Sequence, residues 1–207
     1  MTDCTGFCYL DPSRAGAAGL LIRHAERDPI LTGESVWEAR LTEKGRTDAR
    51  AFGERLSGFA CNGAFASPIP RCMDTASLIL NGWGHKDQRV TCDPLFLEAY
   101  INDGNRVREL FETCDPYRLI LDHVDGMALP GFHSVADGSR LLLTSLLSRM
   151  RPGTLTLFVT HDSILMPFKY HYTRERWSAD NWFPYLGGAA VYADDSTVLV
   201  DGRPVHI

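Results

Sequence analysis

Arg23 and His24, at the end of a short apolar run, are the residues whose chemistry organises the reading of this chain. The run Leu20-Leu21-Ile22 stops abruptly at Arg23-His24-Ala25-Glu26-Arg27-Asp28-Pro29, which sets an imidazole between two guanidiniums. Neutral imidazole is a competent nucleophile near pH 7. Arginine forks grip the oxygens of a phosphate-like group bidentately. The trio therefore suits attack on an anionic, phosphate-like centre. Taken alone, a strand-end His beside an Arg is more often an ordinary surface group, so other segments have to converge on it.

Three more segments carry candidate groups. Ser67-Pro68-Ile69-Pro70-Arg71 sets an arginine at an expected helix start, where free N–H groups and the helix dipole favour an anion. Glu98 follows the apolar triplet Leu95-Phe96-Leu97, where a carboxylate is expected to be partly desolvated and fit to act as an acid. His161-Asp162 directly follows the run Leu155 to Thr160. Judged locally, Arg71 is equally an exposed first-turn residue, and Glu98 is better read as a solvated one.

The elements that must position these groups follow from periodicity. Gly19 to Ile22 and Leu155 to Thr160 are continuous apolar runs, the pattern of buried parallel strands. Ala64-Phe65-Ala66 and Val90-Thr91-Cys92 are shorter strand candidates. Thr42 is the expected N-cap of a helix whose Gly45, Ala49, Phe52 and Leu56 share one face, with small residues allowing close approach to a sheet and Gly58 as the stop. Cys72, Ala76, Ile79 and Leu80 mark a second helix, ended by Asn81-Gly82. Leu142, Leu143, Leu146, Leu147 and Met150 form a core stripe ended by Pro152-Gly153. Ser163 is the expected cap of the helix after His161, with Pro167 tolerable near its first turn. Ala189 to Ala193 and Thr197 to Val200, joined by Asp194-Asp195-Ser196, read as a closing hairpin. Trp177 and Trp182 either stack on a ligand ring or pack in the core.

This alternation predicts an α/β fold, a three-layer αβα sandwich with a mostly parallel central sheet. In such sheets ligands sit outside the carboxyl ends of the strands. Three strand ends would present Arg23-His24, Arg71 and His161-Asp162 at one edge.

The ordered set Leu21-Ile22-Arg23-His24-Ala25-Glu26, Leu41-Thr42-Glu43-Lys44-Gly45, Ser67-Pro68-x-x-Arg71 with Thr75-Ala76, Glu98, and Val159-Thr160-His161 resembles the histidine phosphatase superfamily, which includes phosphoglycerate mutases and histidine acid phosphatases. The resemblance implies a phosphoglycerate mutase-like fold with His24 as nucleophile. Arg23, Arg71 and His161 would hold the phosphate oxygens, water would hydrolyse the phosphohistidine, and no metal or cofactor would be needed. It leaves two general acids: Glu98, as in the short mutase-like branch, or Asp162, as in the acid-phosphatase branch. Arg27 and Pro29 resemble the acid-phosphatase branch, Arg27 as an extra phosphate-binding residue. Ala25 replaces the Gly common after the nucleophile. The implied activity is hydrolysis of a phosphomonoester of a small metabolite. A mutase-type phosphotransferase and a non-catalytic phospho-ligand-binding protein are the alternatives.

Composition sets outer bounds. The 207 residues, 44% hydrophobic and 23% charged, suit one globular domain over 1–207. Within it, 101–137 is expected to be an irregular, partly helical, lid-like insertion over the sheet end that sets specificity. A net charge of −5 argues against nucleic acid or membrane as partner, and a small phosphorylated substrate is the partner that the resemblance implies. No run reaches the roughly 18 apolar residues of a membrane span, and the first residues show no signal-peptide pattern. Six scattered cysteines without a C-x-x-C pair point to reduced thiols and a cytoplasmic location. A homodimer is left open.

Overall fold

The computed structural model describes residues 10–11, 16–29 and 37–205. A seven-stranded sheet runs through the centre in the order β3-β2-β4-β1-β5-β6-β7. Strands β1 (Ala17–Arg23), β2 (Cys61–Ala66), β3 (Thr91–Cys92) and β4 (Leu155–Thr160) are mutually parallel. Strands β5 (Gly188–Ala193), β6 (Val198–Val200) and β7 (Arg203–Val205) close the sheet as antiparallel hairpins beside β1. The sheet is thus mixed, four parallel strands extended by three antiparallel ones.

Both faces of the central strands are buried, and their side chains alternate between two cores. Leu20, Ile22, Leu155, Leu157 and Val159 pack with Ala49, Phe52, Cys72, Ala76 and Ile79 of helices α1 (Glu43–Glu54) and α2 (Pro70–Gly82). Leu21 and Phe158 face the other way. They join Phe96 of α3 (Leu95–Glu98), Leu142 and Leu146 of α6 (Val135–Arg149), and Leu165 and Phe168 of α7 (Asp162–Thr173). A strand buried on both sides has no reason to alternate polar with apolar, which is why β4 reads as a continuous run.

Local chemistry sets the ends. Thr42 caps α1, its hydroxyl accepting from Gly45 N at 2.9 Å and donating to Glu26 at 2.8 Å. The helix stops at Glu54, four residues before Gly58, and turns carry Leu56 into the core. Ala49 is buried in the core shared with the sheet, as expected, and the glycines serve further neighbours. A Cβ on Gly45 would strike the Glu26 carbonyl, and one on Gly53 the Ile79 carbonyl, so α1 also lies close against the loop after β1 and against α2.

Ser163 is not a cap. His161 holds that position without a side-chain bond, and Ser163 N donates to Asp162 at 2.9 Å. Pro167 lies in the second turn of α7, not the first.

Much of the segment 101–137 is helical: α4 (Gly104–Thr113) is capped by Asp103, and α5 (Pro116–Val124) by Asp115. Leu119 and Val124 are buried. The β6–β7 turn uses Asp201-Gly202, both at positive φ, as a two-residue hairpin connection of the primed type. Cys61, Cys72, Cys92 and Cys114 are free thiols, while Cys4 and Cys8 lie outside the described residues. Among the described residues, no helix is long and apolar enough to cross a membrane.

Candidate active site

Strands β2, β4 and β1 are neighbours, and their carboxyl ends are locked side by side. His24 N donates to Thr160 O at 2.9 Å and Ser67 N to Val159 O at 3.0 Å. The residues that follow each strand therefore meet: His24 after β1, Ser67 and Arg71 after β2, and His161 and Asp162 after β4. Arg71 sits in the first turn of α2 and Asp162 opens α7. Two electropositive helix starts thus flank the same pocket.

The side chains form a closed circuit. His24 Nδ1 lies 2.8 Å from Ala25 O, and a carbonyl only accepts, so Nδ1 carries the hydrogen. Nε2 is left with its lone pair, which receives Arg71 Nε–H at 3.1 Å. Arg71 Nη2 donates to His161 Nδ1 at 3.3 Å, which fixes the other tautomer on that ring. His161 Nε2–H then donates to Ser67 Oγ at 2.8 Å. Thr75 closes the ring: its hydroxyl accepts from Ala25 N at 3.0 Å and donates to Arg71 O at 2.7 Å. The two imidazoles stand 5.4 Å apart, edge to face.

A second arm holds Arg23. One Nη donates to Phe183 O, the other pairs with Asp162 at 2.8 Å, and Nε is buried without a partner. The guanidinium lies 4.1 Å from the centre of the Tyr185 ring. Asp162 is saturated in turn: Arg23 and Trp182 Nε1 (2.8 Å) share one oxygen, and Ser163 N takes the other.

Electrostatics follow from this packing. Burial holds His24 well below its ordinary value, and His161, Arg71 and Arg23 push it the same way. Burial also lowers His161, with Arg71 adding to the effect and Asp162 opposing it. Both rings are therefore neutral, and the positive charge of the pocket rests on guanidiniums. Burial works to raise the Asp162 carboxyl, but Arg23, Trp182 and His161 outweigh it, so the group is held below the usual carboxylate range.

Of the residues singled out in the sequence, Arg23, His24, Arg71, His161 and Asp162 are brought into contact. Arg27 is half-buried beside them, its guanidinium donating to Asp28 O at 2.7 Å, and its charge helps lower both His161 and Arg71. Glu98 stands apart from this network and is exposed, the solvated residue that its local setting favoured. Its helix α3 is nevertheless tied to the site, because Thr160 Oγ1 donates to Phe96 O at 2.5 Å. Sequence reasoning gave no role to Ser67, Thr75, Phe183 or Tyr185, and read Trp182 as a ring-stacking or core residue rather than as the partner of Asp162. Ser67 and Thr75 had a signal in their spacing around Arg71. Phe183 and Tyr185 come from about 160 residues beyond Arg23 and had none.

The fold and this circuit place two neutral imidazoles among buried guanidiniums at the carboxyl ends of the parallel strands. The chain belongs to the histidine phosphatase superfamily (branch 1), whose sequence model it matches over residues 20–183. Among solved structures it is similar to Bacillus stearothermophilus YhfR, with 21% identity, a TM-score of 0.60, and 90% of this chain and 96% of that one covered. It is also similar to a mycobacterial glucosyl-3-phosphoglycerate phosphatase (17% identity, TM-score 0.58, 91% and 97% covered). The phosphoglycerate mutase of Bacillus anthracis is a third neighbour (13%, TM-score 0.57, 95% and 93%). No curated protein matches the chain by sequence.

Proposed function

We propose that this protein hydrolyses a phosphomonoester of a small metabolite through a phosphohistidine on His24. The observation that carries the reading is the His24 ring. Its Nδ1 proton is committed to Ala25 O, which leaves the Nε2 lone pair facing a pocket of guanidiniums. Nε2 attacks phosphorus and the ester P–O bond breaks. Arg71 and Arg23 take the equatorial oxygens, Arg23 Nε being a buried donor that a phosphate oxygen would satisfy, and His161 joins them by exchanging Ser67 Oγ for a phosphate oxygen as the acceptor of its Nε2–H. Arg71 leaves Nε2 for the incoming oxygens, so the donor that guards the nucleophile at rest also receives its target.

The leaving oxygen needs a proton, and we assign its delivery to Glu98. Asp162 is poorly suited because both its oxygens accept hydrogen bonds and Arg23 keeps it ionised. Its place is to hold Arg23. In the second half, water attacks phosphorus, the N–P bond breaks, and Glu98 takes the water's proton as phosphate departs. The branch 1 match supports this assignment, as does a phosphoglycerate mutase among the structural neighbours.

Phosphate release from 4-nitrophenyl phosphate should fall by at least a thousandfold in His24→Ala. Unchanged release from the folded variant would refute the nucleophile. Glu98→Gln should impair alkyl phosphates far more than 4-nitrophenyl phosphate, whose phenolate leaves unaided. Asp162→Asn should impair both alike. The reverse pattern would transfer the acid to Asp162. Activity that requires priming by a bisphosphorylated sugar acid would identify a mutase instead.

A further inference from the structure

The segment from Trp182 to Gly188 presses an aromatic side chain against the nucleophile, and the backbone carries strain to do so. Leu186 has φ +57°, a left-handed conformation uncommon for such a residue. The turn is fastened at three points. Gly187 N donates to Pro184 O (3.1 Å), Arg23 N donates to Gly187 O (2.8 Å), and Lys169 Nζ donates to Gly188 O (3.1 Å). A Cβ on Gly188 would collide with Leu21 O, so the chain must lie that close to β1. The outcome is Tyr185, its ring 5.8 Å from His24 and over the Arg23 guanidinium, yet 37% exposed. Arg23 already has Asp162 as counter-charge, so its neutralisation does not account for an aromatic ring here. The aromatic surface continues outward. Trp182, bonded to Asp162, meets Tyr117 edge to face at 4.9 Å, and Tyr117 is 52% exposed.

We propose that Tyr185 is a specificity residue that stacks on a planar ring of the leaving group, so that the substrates of this site are phosphomonoesters of aromatic or heteroaromatic alcohols. The proposal rests on the phosphatase reading above. A flat ring beside the reacting phosphorus gains stacking contact that an alkyl chain of similar size does not. Such contact is removed cleanly by an aliphatic side chain, and Phe preserves it.

Benzyl phosphate and butyl phosphate leave as similar alkoxides and differ in the ring, so their ratio of kcat/KM isolates the stack. The native enzyme should favour benzyl phosphate. Tyr185→Leu should lower the ratio about tenfold, in line with base-stacking losses on aromatic removal, and Tyr185→Phe should keep it. A native ratio near one, or a ratio unmoved by Tyr185→Leu while total activity drops, would overturn the proposal and reduce Tyr185 to a prop for Arg23. The phosphatase reading is checked separately by 4-nitrophenyl phosphate and His24→Ala. Its failure is therefore distinguishable: no phosphate is released from any of the three substrates.

Discussion

His24 and His161 are held in opposite tautomers by neighbours that can only accept or only donate: Ala25 O fixes one ring and Arg71 the other. That arrangement depends on both rings being neutral, and burial keeps them so. The acid limb of kcat/KM reports the free enzyme. Once the substrate's own ionisation is divided out, that limb should lie below pH 6.5, the ordinary histidine value. A limb at or above that value would show that the pocket does not depress His24. Asp162 is a different case, a largely buried carboxylate whose work is to neutralise Arg23. Removing one partner of such a pair strands the other charge. Asp162→Asn should therefore cost about 3–5 kcal/mol of stability, read from urea unfolding at pH 7. A loss below about 1 kcal/mol would mean that Arg23 has another counter-charge.

At the scale of elements, α1 guards the geometry behind His24. Its first turn rests on the Glu26 backbone, two residues past His24, and only a glycine at position 45 fits there. Gly53 makes the equivalent close approach to α2, away from the site. Alanine in a helix interior normally gains about 1 kcal/mol over glycine. Here the clash should reverse that sign, with each Gly→Ala change costing about 1–3 kcal/mol. The two should part company in activity. Gly45→Ala should lower kcat/KM as it displaces the loop beside His24, while Gly53→Ala should lower the melting temperature alone. Equal effects on kcat/KM would show that α1 moves as one rigid piece. Thr42→Ala, which loses both the cap and the Glu26 bond, should cost about 1 kcal/mol.

For the whole molecule, the buried histidines couple stability to pH. His24, His161 and His123 are all lowered by burial. Below pH 6.5 the unfolded chain therefore binds more protons than the folded one, and acid favours unfolding. Each unit of depression is worth about 1.4 kcal/mol once fully expressed. Asp162, depressed by Arg23, has the same sign, its contribution being lost as pH falls through its folded value. Asp201 is raised by burial and works against this trend in part. The urea midpoint should fall markedly between pH 7.5 and pH 5, and His161→Asn should flatten the slope. A midpoint constant over that range would contradict the neutral assignment of the rings.

Wherever a residue's role depends on near neighbours or on period, the chain alone was sufficient. The continuous run of β4 exists because both its faces are covered, and the helical stripe of Leu142, Leu143 and Leu146 exists because one face of α6 is. The Thr42 cap acts within three residues. Asp103 and Asp115 cap helices in a segment expected to be only partly helical, and Asp201-Gly202 turns a hairpin, in equally local ways. The convergence of Arg23, His24, Arg71 and His161 was legible because parallel strands must deliver their ends to one edge. Tertiary structure alone decided which partners those groups take. Phe183 reaches Arg23 across 160 residues, Trp182 saturates Asp162, and a strained turn sets Tyr185 against His24 and Arg23. Such contacts arise when a distant tail packs onto a finished sheet, and neither periodicity nor spacing encodes where that tail will land.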